Sequence, residues 1–194
     1  MACRYWYCFN LFIDIEYCNM IHAMIDLETL STNPDAVILT LGGIKFNAYN
    51  NLEPTDPLYL KINVDEQSSL GRHIQPETLE WWGTQPKEIQ EEALGEQDRI
   101  GLEDLTKKLN KWCVGVDVFW CQGPLFDYAI LENLYVQLGK PRPWNYWAIR
   151  DSRTLFSLLP KDPNEIRAAA HNALADCDYQ AKKVQTYYKR LGIQ

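Results

Sequence analysis

Alternating apolar and polar positions predict that the folded part of the chain begins with three strands. Within 24–28, Asp26 and Glu28 point to one face and the apolar residues around them to the other. The apolar segments 36–46 and 57–64 predict a second and a third strand. Because the connections are short, we expect an antiparallel meander.

Apolar stripes with spacings of three and four residues dominate much of the remaining chain and predict helices. We expect helical structure within 76–113, from Phe126 to Gly139, over 153–159 and over 174–191. Short apolar runs at 117–121 and 146–150 predict a fourth and a fifth strand. The pattern as a whole predicts an α/β fold with a mixed five-stranded sheet and helices on both faces.

Composition narrows the class of protein. The chain has 194 residues and a net charge of −7, which argues against a protein that coats duplex DNA through many lysine and arginine contacts. It leaves room for an enzyme that grips a few nucleotides and takes positive charge from bound cations. The six cysteines form no Cys-x-x-Cys pair, which favours buried thiols in a cytoplasmic protein over zinc ligands or disulfides.

Four acidic residues are candidates for a shared metal site. Asp26 and Glu28 lie on one strand face, Asp127 in the first turn of a helix that follows a strand, and Asp176 near the start of the last helix. Carboxylates that share one small site repel one another unless cations bind between them. Oxygen ligands without cysteine favour Mg²⁺ or Mn²⁺, and a pair of such ions is suited to displacement at phosphorus.

His171 is the candidate general base. On a continuous helix His171 and Asp176 would be about 140° apart, so we expect His171 in the loop before the last helix, free to face the same cleft. A neutral imidazole there can take a proton from water. His22 and His73 have no similarly placed aspartate downstream.

These motifs resemble the DEDDh exonucleases of the RNase H-like fold. The first motif is Asp26-Leu27-Glu28-Thr29, the second is Phe126-Asp127, and the third is His171 followed five residues later by Asp176. Within the family the chain resembles the branch that holds phage exodeoxyribonuclease A and actinobacterial ribonuclease AS. That similarity rests on three segments. They are Asp26-Leu27-Glu28-Thr29-Leu30 followed by Ala36-Val37-Ile38, the motif Trp81-Trp82-x-x-Gln85, and the pair Arg150-Asp151.

The resemblance implies a 3′–5′ exonuclease that removes mononucleotides from single-stranded DNA or RNA with two Mg²⁺ ions, which Mn²⁺ can replace. Asp26, Glu28 and Asp176 would hold the ion that activates water, Asp26 and Asp127 would serve the second, and His171 would be the base. The residues expected to contact nucleic acid are Thr29, Leu30, Phe126 and Trp82. For Trp81 and Trp82 taken by themselves, packing in the core or between helices is the favoured role, and stacking on unpaired bases is the alternative.

The resemblance leaves three matters open. It does not decide between an exoribonuclease and an exodeoxyribonuclease, because recognition of the 2′-hydroxyl depends on cleft geometry. A catalytically silent RNase H-like module that binds nucleic acid is the alternative from another class. Related enzymes are often homodimers, so a homodimer is among the expected states, and no membrane partner is expected.

The first nineteen residues are an extension of uncertain status. The segment 1–19 is aromatic, is interrupted by Asp14 and Glu16, and lacks the features of a secretory signal or a membrane span. We expect translation to begin naturally at Met20 or Met24, and the DEDDh exonuclease domain to comprise 20–194. Asp14-Ile15-Glu16 is a second Asp-x-Glu, but only the pair at Asp26 is followed by a turn and a long apolar strand.

Overall fold

The computed structural model describes residues 20–160 and 171–193. The predicted extension at 1–19 lies outside the described residues and stays a prediction. Within the described part of the chain, no helix combines the length and the apolar character needed to cross a membrane.

The predicted antiparallel meander is confirmed. It consists of β1 (His22–Thr29), β2 (Ile38–Phe46) and β3 (Thr55–Ile62). β1 pairs with β2 in a register that sets Asp26 opposite Gly42, and β2 pairs with β3. β3 ends earlier than the sequence predicts because Asn63 caps the next helix, its side chain accepting a bond from the Glu66 amide at 2.8 Å.

Among the described residues the sheet has six strands instead of the predicted five, in the order β4-β3-β2-β1-β5-β6. The strand that the prediction missed is β4 (Arg99–Ile100), which pairs in parallel with β3. Two residues are too few to show an alternating pattern. Long-range bonds hold β4 in place, since the Arg99 guanidinium donates to the carbonyls of Leu39, Ile62 and Ala93 at 2.7–3.2 Å.

The other two strands extend the sheet beyond β1. β5 (Val118–Cys121) pairs in parallel with β1, and β6 (Ile149–Asp151) pairs in parallel with β5. The predicted strand over 146–150 is wrong in its first half, where Tyr146–Ala148 forms a 3₁₀ helix. The aromatic rings of this 3₁₀ helix are not buried in the sheet, since Tyr146 and Trp147 are 68% and 62% exposed.

Seven α-helices complete the described fold. They are α1 (Val64–Ser69), α2 (Pro76–Gly83), α3 (Lys87–Leu94), α4 (Leu102–Trp112), α5 (Asp127–Gln137), α6 (Ser152–Phe156) and α7 (Ala173–Leu191). The helical region predicted over 76–113 is thus three helices, with β4 between the second and the third.

Helices cover both faces of the sheet, as predicted. On one face Ile25 and Leu27 of β1 belong to a buried apolar cluster with residues of α4 and α5. On the other face Met24 packs in a cluster with the apolar stripe of α7. Asp26 and Glu28 share the strand face of Met24, so they emerge beside α7.

Candidate active site

Three acidic side chains converge at the end of β1. Asp26 and Glu28 come from β1 and Asp176 from the first turn of α7, and ligand oxygens of the three lie within 4.8 Å of one another. Asp176 is 3% exposed and Glu28 9%. Carboxylates 150 residues apart in sequence therefore share one small site, as their order and spacing led us to expect.

Asp127 lies next to this cluster on the neighbouring element. It is the first residue of α5 and is 3% exposed. Its Oδ1 accepts a hydrogen bond from the backbone amide of Leu27 at 3.2 Å, which ties it to the strand between Asp26 and Glu28. The charge of Asp127 is felt at Asp26, where it helps to raise the pKa.

Burial and mutual repulsion make the site unfavourable for four bare charges. Burial raises the pKa of Asp26 well above its ordinary value, and the charges of Asp127, Glu28 and Asp176 raise it further. A hydrogen bond from Gln180 acts in the opposite direction on the same pKa. Burial also raises the pKa of Asp127 to about 7.

The donor set fits a divalent metal ion. It consists of carboxylate oxygens, with no cysteine or histidine in the group of three, and such oxygens suit Mg²⁺ or Mn²⁺. A bound cation would also offset the repulsion that holds the pKa of Asp26 high.

His171 lies in the loop before α7, as predicted. The helix begins at Ala173, and its cap is Asn172, whose side chain accepts a bond from the Ala175 amide at 3.0 Å. The backbone amide of His171 donates to Asp176 Oδ2 at 3.1 Å. The residue has φ 70°, in the left-handed region, so its placement depends on these local contacts.

A cleft of about 340 Å³ adjoins the carboxylates. Its lining residues are Leu27, Glu28, Thr29, Thr32, Gln75, Glu77, Thr78, Trp81, Trp82 and Phe126. Trp81 is 40% exposed, and its ring contacts the imidazole of His171 edge to face, with centroids 4.9 Å apart. The cleft therefore connects an aromatic surface to the histidine and the acids.

The four predicted nucleic-acid contacts differ in how they meet this cleft. Phe126 is half-buried and lines it, and Thr29 lines it with its hydroxyl donating to the Ser31 carbonyl at 2.7 Å. Leu30 is only 4% exposed and packs in an apolar cluster, and both of its backbone polar groups pair within the protein. Its side chain is therefore turned to the core.

The ring of Trp82 is likewise buried in the core. It is 1% exposed, and its indole Nε1 donates to the Thr29 carbonyl at 2.9 Å. Between the two tryptophans, the accessible ring belongs to Trp81. Neighbouring helical positions differ by 100°, so one of the pair had to face outward, but the sequence alone does not say which.

Two polar residues at the site, Gln180 and Arg153, were given no role from the sequence. Gln180 follows Asp176 by one helical turn, a spacing that places both on one face of α7. Arg153 donates through Nη2 to the Gln122 carbonyl at 2.8 Å, and its charge lowers the pKa of Asp127 against the larger effect of burial.

Comparison with known proteins decides the family. The model of the Rv2179c-like 3′–5′ exoribonuclease domain matches residues 21–188. The chain belongs to this family. It accordingly carries a 3′–5′ exonuclease domain, a hydrolase that acts on phosphodiester bonds. No curated protein matches the chain in sequence.

Solved structures show the same RNase H-like exonuclease fold. Cell-death related nuclease 4 is 15% identical with a TM-score of 0.59, over 89% of this chain and 64% of that one. Escherichia coli exonuclease I in complex with a dA16 oligonucleotide is 15% identical with a TM-score of 0.63, over 89% and 42%. Exonuclease I from Methylocaldum szegediense is 17% identical with a TM-score of 0.62, over 90% and 41%. The chain thus spans less than two thirds of the length of each of these proteins.

Proposed function

We propose that this chain is a metal-dependent 3′–5′ exonuclease that hydrolyses phosphodiester bonds at the 3′ end of single-stranded nucleic acid. The observation that carries the proposal is the convergence of Asp26, Glu28 and Asp176 within 4.8 Å, with His171 hydrogen-bonded through its backbone to Asp176. The family description supports the reaction and its direction.

The carboxylates would hold the metal ions. Asp26, Glu28 and Asp176 would bind one ion, and Asp26 together with Asp127 would serve a second. When bound, such ions lower the pKa of a coordinated water and stabilise negative charge on the leaving oxygen. The protein's own part is to keep the oxygens close together, and the bond from the Leu27 amide fixes Asp127 for that purpose.

His171 would accept the proton of the attacking water. Its backbone bond to Asp176 and its ring contact with Trp81 hold the imidazole at the boundary between the carboxylates and the cleft. A histidine suits this role because its ordinary pKa lies close to neutral pH, so that the neutral ring is available as a base.

The cleft would receive the terminal nucleotide. Trp81 offers an exposed ring on which a base can stack, and Thr29 and Phe126 line the cleft beside it. Leu30 and Trp82 would contribute indirectly, because Trp82 binds the Thr29 carbonyl and Leu30 packs behind it. RNA is the favoured substrate, since the matching family is described as exoribonucleases.

Several finer expectations belong to the same proposal. The match over 21–188 supports an exonuclease domain that does not need the first nineteen residues. The Trp81-Trp82-x-x-Gln85 motif supports a position near phage exodeoxyribonuclease A and ribonuclease AS. The homodimer and the cytoplasmic location stay predictions.

A digest of matched oligomers tests the proposed function. RNA and DNA of one sequence, labelled at the 5′ end and carrying a free or a blocked 3′ end, are incubated with Mg²⁺, Mn²⁺ or EDTA. We expect stepwise shortening of the RNA with a free 3′ end, no reaction in EDTA and none with Asp26→Asn. Binding without shortening would favour the silent module, and cleavage inside the blocked oligomers would contradict exonuclease action.

A further inference from the structure

Gln180 is a buried amide at the edge of the acidic cluster. It lies on α7 four residues after Asp176, so both side chains leave the same face of the helix. Its side chain is 3% exposed. Its Nε2 donates to Oδ1 of Asp26 at 3.2 Å, across from the helix to β1.

This hydrogen bond can fix how the Asp26 carboxylate is turned. The last torsion of an aspartate is broad and has no sharply preferred angle, so a partner is needed to hold the plane of the carboxylate. Asp26 is central to the site because its ligand oxygen lies within 4.8 Å of those of both Glu28 and Asp176.

The other half of the Gln180 amide is costly for the fold. Its Oε1 is buried and has no hydrogen-bond partner among the residues that the structure describes. The neighbouring residues on this face of α7, Cys177, Ala181 and Val184, are apolar and buried. An apolar side chain of similar size would fill the position without an unpaired oxygen.

The orientation of the amide follows from the carboxylate. Turning it over would bring Oε1 against Asp26 Oδ1, two acceptors with no proton between them, and would leave the amide N–H groups without this partner. A glutamine at this position is therefore explained by Asp26 and not by the packing of α7.

We propose that Gln180 is a positioning residue that orients Asp26 for binding of a divalent metal ion. It acts through Asp26 and is itself not a ligand. The inference rests on the metal site of the proposed function, which it extends to a residue outside the acidic motifs.

Calorimetric titration of the substrate-free protein with Mn²⁺ tests this role. In Gln180→Met we expect the Kd for Mn²⁺ to rise about tenfold or more, the usual effect of losing a residue that supports a metal ligand. In EDTA the same variant should melt close to the temperature of the wild type, because removal of the unpaired buried Oε1 offsets the loss of the bond to Asp26. A merely structural role would give the reverse pair of results.

Gln185 provides the matched control. It lies on the same helix, is 5% exposed, and donates to the carbonyls of Asn47 and Leu52 at 3.0 and 2.9 Å, away from the carboxylates. Gln185→Met should lower the melting temperature in EDTA because it strands two carbonyl partners, and should leave the Kd for Mn²⁺ unchanged. Gln180→Leu is measured in parallel with Gln180→Met. An effect that comes only from poor packing of one of the two side chains is then recognised, because the other variant does not show it.

The outcomes separate the two proposals. An unchanged Kd for Mn²⁺ in both Gln180 variants would overturn the role of Gln180, and so would an equal weakening in Gln185→Met. Failure of the wild type to bind Mn²⁺ would instead overturn the metal site itself.

Discussion

Gly42 of β2 lies directly against the backbone of Ala173, the first residue of α7. A Cβ on Gly42 would be 2.3 Å from the Ala173 carbonyl carbon and oxygen, closer than any real contact of that kind. Gly42 is also the partner of Asp26 across β1 and β2. The absence of a side chain here lets the first turn of α7 approach the sheet beside Asp26, which brings Asp176 within reach.

We therefore expect Gly42→Ala to damage the metal site. The added methyl group meets backbone, which cannot move aside alone, so the start of α7 must shift and carry Asp176 and His171 with it. The variant should unfold at lower temperature and lose Mn²⁺ binding. Gly83→Ala is the control, since nothing lies within 4 Å of a Cβ there. Mn²⁺ binding by Gly42→Ala at the strength of the wild type would show that the close approach is not needed.

The raised pKa of Asp127 makes the metal-free protein sensitive to pH. Burial raises this pKa from an ordinary 3.8 to about 7, so the folded state holds the proton more tightly than the unfolded state. The resulting stabilisation is complete below about pH 4 and is lost as the pH rises through about 7. In EDTA, the melting temperature of the wild type should therefore decrease, relative to that of Asp127→Asn, as the pH is raised from about 5 to about 8.

Mg²⁺ should reverse much of that loss at the higher pH, because a cation among the ionised carboxylates replaces the missing protons. Asp127→Asn keeps an oxygen for the Leu27 amide, so the comparison isolates the charge. A difference between the two proteins that stays constant across this pH range would mean that Asp127 is ionised throughout.

Two substitutions separate the catalytic role of the His171 imidazole from the strain in the His171 backbone. His171→Ala and His171→Gly both remove the imidazole, and each should lower kcat by about 10²–10⁴, the range for loss of a general base. Glycine accepts φ 70° without strain, whereas alanine does not, so the glycine variant should be the more stable of the two. A loss of kcat below about tenfold in both would assign the proton transfer to another group.

Trp81 and Trp82 should give opposite phenotypes when each is replaced by alanine. Trp81→Ala removes an exposed ring and should raise KM by roughly 5–150-fold while the protein stays folded, as expected for a lost stacking contact of about 1–3 kcal/mol. Trp82→Ala should lower the free energy of unfolding by about 3–5 kcal/mol, because that ring is buried. The measurements are steady-state kinetics and urea unfolding; equal effects on KM and stability in both variants would contradict this division.

Long periodic segments made much of the fold predictable. The alternation around Asp26 gave the first strand and its acidic face, and the stripe at Leu102, Leu105, Leu109 and Trp112 is buried as one side of α4. The angle between His171 and Asp176 on a helix was enough to place the histidine in the loop before α7.

Features fixed by distant contacts were not predictable in the same way. β4 has two residues, and its bonds reach from Arg99 to three other elements. The inward orientation of Trp82 depends on the Thr29 carbonyl, 53 residues away, and the importance of Gln180 depends on Asp26, 154 residues away. Local pattern carries no information about such partners.

Anomalous diffraction from crystals soaked in Mn²⁺ tests most directly whether Asp26, Glu28, Asp127 and Asp176 form the metal site. We expect manganese peaks bounded by these carboxylates, and their loss in Asp26→Asn. Manganese bound elsewhere on the protein, with none at this cluster, would contradict the account.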